Sequence, residues 1–156
     1  MINMFAEKSS RIKVISEQVG RSVTLILRDP AIAFSSRDRI IIGNAVPDLH
    51  SGVRVLGHKE TTFEHLSAGS EYLVSAASRL RSLEFLIDKG GCESDPQAKI
   101  RHAIKLIELL AEVAKPDIST YNGKNELRPV SDERIKKLQD ELGIINRFDI
   151  ESSERH

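Results

Sequence analysis

Between Thr61 and Lys89, apolar and small side chains recur at alternating spacings of three and four: Leu66, Gly69, Leu73, Ala76, Leu80, Leu83 and Ile87. That period puts them on one stripe of an α-helix, so the spacing predicts a long helix over 61–89 with one buried face. Thr61 followed by Glu64 has the form of a capping box, and Gly90-Gly91 offers the left-handed conformation with which helices commonly close. Ser67, Ala68, Gly69, Ser70, Ser75, Ala76, Ala77 and Ser78 keep the surface of this helix small, which lets a neighbouring backbone come close. A tight partner is expected for it.

The same reading along the chain predicts a short helix over 10–19, where Ile12, Ile15 and Val19 share a face and Gly20 follows as a stop. Ser22 to Arg28 (SVTLILR) is rich in β-branched residues and reads as a strand ended by Asp29-Pro30. Arg39 to Gly43 (RIIIG) reads as a second strand. Asn44 to Gly52 (NAVPDLHSG) has loop chemistry, and Gly52 to Lys59 alternates Val53 and Val55 against Arg54 as a third, half-exposed strand. Short connections between them predict a small antiparallel sheet, which needs a helix packed on it for stability.

After the double glycine, Glu93-Ser94-Asp95-Pro96 is a helix start, with an N-cap side chain followed by proline in the first turn. The helix is expected to run to about Ala114 and to be stopped by Pro116. Ile100, Ala103, Ile104, Ile107, Leu110, Ala111 and Ala114 line one face, and Leu106, Leu109 and Val113 widen it beyond what a single neighbouring helix covers. With the first long helix it forms an antiparallel helical hairpin. Residues 117–129 read as a polar loop. A last helix is predicted over 131–142, with Ile135, Leu138 and Leu142 on one side and Gly143 as its C-cap. The expected fold is α+β: a three-stranded antiparallel sheet near the N-terminus, covered by a long antiparallel helical hairpin and a short C-terminal helix. It forms one domain over 1–150, followed by a frayed charged tail at 151–156.

Composition narrows the function classes. The chain has 156 residues, long enough for one real core, with 40% apolar residues and equal numbers of basic and acidic side chains, 23 each. That balance disfavours strong non-specific nucleic-acid binding, which relies on a positive excess, and 4% aromatics offers little stacking surface for bases. No apolar run approaches the ~20 residues needed to span a bilayer. The single cysteine, Cys92, has no partner for an internal disulfide, in keeping with a reducing compartment, so a cytoplasmic location is expected.

Three stretches hold candidate chemistry. Asp48, His50, His58, Glu60, Glu64 and His65 cluster just ahead of the long helix. Neutral imidazoles and carboxylates converging on one point are what zinc or manganese needs, and His50, His58, Glu60 and His65 are the candidate ligands, with metal-assisted hydrolysis as the reaction class. None of the specific zinc signatures, such as HExxH or paired cysteines, is present, and no cofactor is expected by default. The loop 44–52, with Asn44 and His50, is the second candidate, where backbone N–H groups would hold a small anion. The third is Leu138 to Arg147 (LQDELGIINR), which resembles the first helix and turn of a helix-turn-helix DNA reader. It departs from that pattern at Gln139, where a small residue is usual, and in the acidic tail that follows Arg147-Phe148-Asp149-Ile150.

The surplus apolar surface is the stronger signal. Leu106, Leu109 and Val113, with Tyr72 and Val74 on the first long helix, are the candidate interface residues. The leading expectation is a non-catalytic binding or regulatory protein, acting as a homo-oligomer (a dimer first) or as an adaptor or inhibitor of another protein. A small metal-dependent hydrolase built on the His58/Glu60/His65 region comes second, and a DNA-binding regulator using a degenerate helix-turn-helix at 138–150 third.

Overall fold

A computed structural model describes the backbone of residues 4–58, 63–87, 93–115, 117–121, 124–128 and 132–154, and the side chains of 11–58, 64–87, 93–115 and 132–147. Among the described residues there are five α-helices and one two-stranded hairpin: α1 (Met4–Leu27), α2 (Ser36–Leu56), α3 (Phe63–Leu80), α4 (Asp95–Ala114), β1 (Asp117–Tyr121), β2 (Lys124–Arg128) and α5 (Asp132–Glu154). The fold is a helical bundle. The α+β expectation, with its N-terminal three-stranded sheet, is incorrect.

The physical reason lies in the buried positions. Ile12, Ile15, Val19, Val23 and Ile26 are all buried and continue one helical stripe straight through Gly20, so α1 absorbs both the predicted short helix and the SVTLILR segment. Burial of a continuous face outweighs the weak β preference of Val23, Thr24 and Ile26. In α2 the buried stripe is Ile42, Ala45, Val46, Leu49, Gly52 and Leu56, which unites the predicted second strand, loop and third strand in one helix. Ser35 caps it by accepting from the Asp38 N–H (3.2 Å), and Pro47 sits inside it on the exposed side. An interior proline withholds one helical N–H and crowds the carbonyl four residues back, here that of Gly43. The residue at 43 is solvent-facing and has open space around it, so that crowding is tolerated.

α2 packs most extensively on α3, and the two run antiparallel, with Asp48 beside Ser75 and Gly52 beside Gly69. The contact is close. A Cβ on Gly69 would lie 2.6 Å from Leu56 Cδ2, and one on Gly52 would lie 3.0 Å from Leu73 Cγ and 3.2 Å from the Gly69 carbonyl. The tight partner expected for the small-residue helix is therefore α2, not a sheet. α3 also stops earlier than Lys89. Asp38, 1% exposed, accepts from the backbone N–H of Glu84 (3.0 Å) and Phe85 (2.9 Å), and so holds a single 3-10 turn over Glu84–Leu86. Leu83 is buried beside that turn, whereas Ile87 is exposed. Phe34 stacks edge-on to Phe85 at 5.1 Å and seals the same corner.

α4 is the central helix and matches the expected boundaries. Ser94 and Gln97 form a reciprocal capping box, and Gln97 Nε2 also donates to the Phe85 carbonyl (2.9 Å). α4 contacts α1, α3 and α5, so three helices in the one chain close over its broad apolar face. It runs antiparallel to α3, with Ser70 Oγ bonding the Ala111 carbonyl (2.9 Å) at one end and Arg101 the Leu86 carbonyl (2.6 Å) at the other, and the expected helical hairpin stands. The polar stretch after α4 contains the antiparallel hairpin β1–β2, register Asp117 to Arg128 through Tyr121 to Lys124. α5 then passes through Gly143 without a break and on to Glu154, beyond the predicted helix end.

Candidate functional site

A groove runs between α1 and α2. At Gly20 a Cβ would lie 3.0 Å from Val53 Cγ2, so the two helices approach closely beside the groove. The groove holds about 490 Å³ and is lined by Glu17, Gly20, Arg21, Thr24 and Leu25 of α1 with His50, Val53 and Arg54 of α2. Leu25, on its rim, is 61% exposed, and Val14, further along the same helix, is 54% exposed. Thr24 Oγ1 donates to the Gly20 carbonyl (2.6 Å), so its single proton is committed. His50 Nε2, 3.2 Å from the same oxygen, must therefore be the donor and carry the hydrogen. This bond ties α2 to α1 across the groove.

His50 is thus brought to a groove, not to the predicted loop. Residues 44–52 are the middle of α2, where the helical ladder uses the backbone N–H groups, so the anion-holding loop does not exist. Asn44 is exposed, six residues from His50, and is not among the groove residues. Of the proposed metal ligands, His58 and His65 stack nearly parallel, with ring centroids 4.4 Å apart and planes 20° apart, and Glu60 lies outside the described residues. Among the described residues no group of three His, Cys, Asp or Glu side chains is placed to hold a metal ion.

The predicted interface residues divide. Leu106 and Val113 are buried inside the single chain, with 0% and 1% exposure, and Leu109 is half-buried against the same core. Leu106 and Val113 are not surface, and Leu109 is only partly so. Tyr72 and Val74 remain exposed on α3, two residues apart and so on different sides of it. Val74 lines a smaller groove of about 340 Å³ between α3 and α4, whose floor is Ser70, Ala77 and Ala111 and whose rim includes the Arg81–Glu108 ion pair. The helix-turn-helix resemblance fails on geometry: no turn follows Leu142, because α5 is continuous.

Of the four buried polar side chains among the described residues, Ser16 turns back onto the Lys13 carbonyl of its own helix (2.8 Å), and the other three fasten elements together. Asp38 joins α2 to the turn after α3, and Ser70 joins α3 to α4. Glu141, 4% exposed on α5, accepts from His102 Nδ1 (2.5 Å) and forms an ion pair with Lys105 Nζ (3.4 Å) of α4. At the partly exposed edge, Asp48 Oδ2 receives Ser75 Oγ (2.8 Å) and Arg79 Nε (3.2 Å) and ties α2 to α3. Val14, Arg21 and Leu25 are not legible as surface residues in the sequence, because Gly20 and the β-branched run at 22–28 divide α1 into an apparent helix and an apparent strand. Comparison of the chain with protein families, curated proteins and solved structures returns no match. No helix among the described residues is long and apolar enough to cross a membrane.

Proposed function

We propose that this is a non-catalytic helical-bundle protein of the cytoplasm that works by binding, either to itself or to another protein, through the exposed face of α1 and its groove against α2. The observation that carries this reading is the pair Val14 and Leu25: two large apolar side chains, each more than half exposed, on one side of one helix, with Leu25 lining the groove. Exposed apolar surface rimmed by charge is the usual mark of a protein contact. Glu17, Arg21 and Arg54 supply the charged rim, and Gly20 and Val53 an apolar floor. The cytoplasmic assignment rests on the lone cysteine.

The test is association itself. Leu25→Glu removes apolar surface at a position that the core does not use, so circular dichroism should show an unchanged fold. Light scattering and copurification should then show that whatever association the unaltered chain makes is lost. An association that Leu25→Glu leaves intact would mean that the binding surface lies elsewhere.

A further inference from the structure

The partner that the α1 face fits best is a second copy of this chain, an inference that rests on the binding reading above. Val14 and Leu25 are eleven residues apart. At ~100° and ~1.5 Å per residue that is close to three whole turns, so the two side chains lie on one line along α1, about 16 Å apart. Between them on the same side lie Glu17 and Arg21, both exposed and both turned toward α2, since both line the α1–α2 groove. Among the described residues, Glu17 and Arg21 have no ion-pair or side-chain hydrogen-bond partner.

We propose that two copies dock through this row, their α1 helices antiparallel about a two-fold axis level with the Val19-Gly20 peptide. The axis carries Val14 onto Leu25 of the second copy and Leu25 onto its Val14. Because a two-fold of this kind keeps the α2 side of one copy against the α2 side of the other, Glu17 comes within about one residue's rise of Arg21 of the second copy, twice over. The row is thus self-complementary in both its apolar and its charged members, as an isologous interface requires. Arg28, the next cation along the row, is brought level with Arg11 of the second copy, but Arg11 points to the α5 side, where Asp132 holds it at 3.5 Å. The contact is short beside the ~1,000 Å² of a stable interface, so the dimer is weak and concentration-dependent, with a dissociation constant on the order of micromolar or above.

The experiment is sedimentation velocity on the full chain over a concentration series, with circular dichroism on every variant. The unaltered protein should move from monomer to dimer as its concentration rises through the micromolar range. Glu17→Arg alone and Arg21→Glu alone each place like charges at both crossings and should weaken the dimer by ~10-fold or more. An equimolar mixture of the two variants restores opposite charge at both crossings and should regain the dimer. A wild type that stays monomeric at high concentration overturns the proposal, as does a dimer indifferent to both variants or a mixture that stays monomeric. If the wild type is monomeric while Leu25→Glu abolishes attachment to a different protein, the second-copy inference falls and the binding reading stands. If Leu25→Glu alters no association at all, both fall.

Discussion

Replacing Gly69 by alanine sets two well-understood effects against each other at one atom. In a helix interior the change favours folding by about 0.5–1 kcal/mol, because glycine loses more backbone freedom on folding. At 69 the new methyl would sit 2.6 Å from Leu56 Cδ2 and 2.7 Å from its Cγ. Ordinary carbon contacts are ~3.5–4.0 Å, so Leu56 must retreat by about 1 Å. The strained atoms belong to a side chain, which is the easier thing to move, but Leu56 is 0% exposed and any retreat drives it into the α2–α3 core. Overpacking of this kind costs about 1–3 kcal/mol, so Gly69→Ala should be net destabilising by about 1–2 kcal/mol. For a chain of this size that lowers the melting temperature by roughly 2–8 °C.

Gly143→Ala is the matched control. It lies inside α5 with nothing within 4 Å of its would-be Cβ, so only the helix term acts and the variant should gain about 0.5–1 kcal/mol. Urea unfolding followed at 222 nm reads both. A double-mutant cycle isolates the cause: in a Leu56→Ala background the clash is gone, and Gly69→Ala should change sign and stabilise. If Gly69→Ala in the otherwise unaltered chain stabilises as much as Gly143→Ala, the close α2–α3 approach is refuted.

Other substitutions probe the remaining joints. Asp38→Ala leaves the Glu84 and Phe85 amides without their acceptor and should cost about 2–4 kcal/mol, with faster hydrogen exchange at both amides; unchanged exchange there would count against the contact. Leu106→Glu puts a charge at a site with no exposure and should unfold the chain, so a folded Leu106→Glu monomer by circular dichroism would show that α4 is not central. Glu141→Ala removes the buried carboxylate that His102 and Lys105 contact and should cost about 1–3 kcal/mol in urea unfolding, with α5 exchanging faster than α3; a neutral outcome would mean that the α4–α5 joint rests on apolar packing alone.

The parts of the fold that were legible in the sequence are those where periodicity and punctuation agree. α4 shows both: Ser94 and Pro96 at its start and an unbroken stripe from Ile100 to Ala114. In α1 and α2 they disagree. Gly20, Gly52 and Pro47 look like breaks, and the Val, Ile and Thr of 22–28 look like a strand, yet buried positions continue at helical spacing on both sides of each. Gly20 and Gly52 serve close helix packing rather than turning, a role that needs a neighbouring helix to be seen. The reverse error occurs after α4: Asn122-Gly123 is a strong short hairpin signature and lies between the two strands that do form, although the segment reads as polar loop. The α1 row suffered from the same division of the helix. The eleven-residue spacing of Val14 and Leu25 has meaning only once the helix between them is continuous. Asp38 was beyond sequence reasoning, since its partners are backbone amides 46 and 47 positions away.

The Asp38 contact also shapes how this chain opens. It joins residues 46 positions apart and encloses both α2 and α3 in the loop so formed, in a protein whose one cysteine cannot make a covalent closure. A disulfide across that span would persist in the denatured chain and restrict it. A carboxylate held by two amides exists only in the native state, so it leaves the denatured chain unrestricted and disappears in one step when the helices part. The Glu84 and Phe85 amides lie in a short surface turn, where fast local exchange is the ordinary behaviour, yet their protection is tied to the docking of α2 on α3. They are expected to exchange on the slow timescale of the bundle, and so to report unfolding of the whole rather than breathing of a loop.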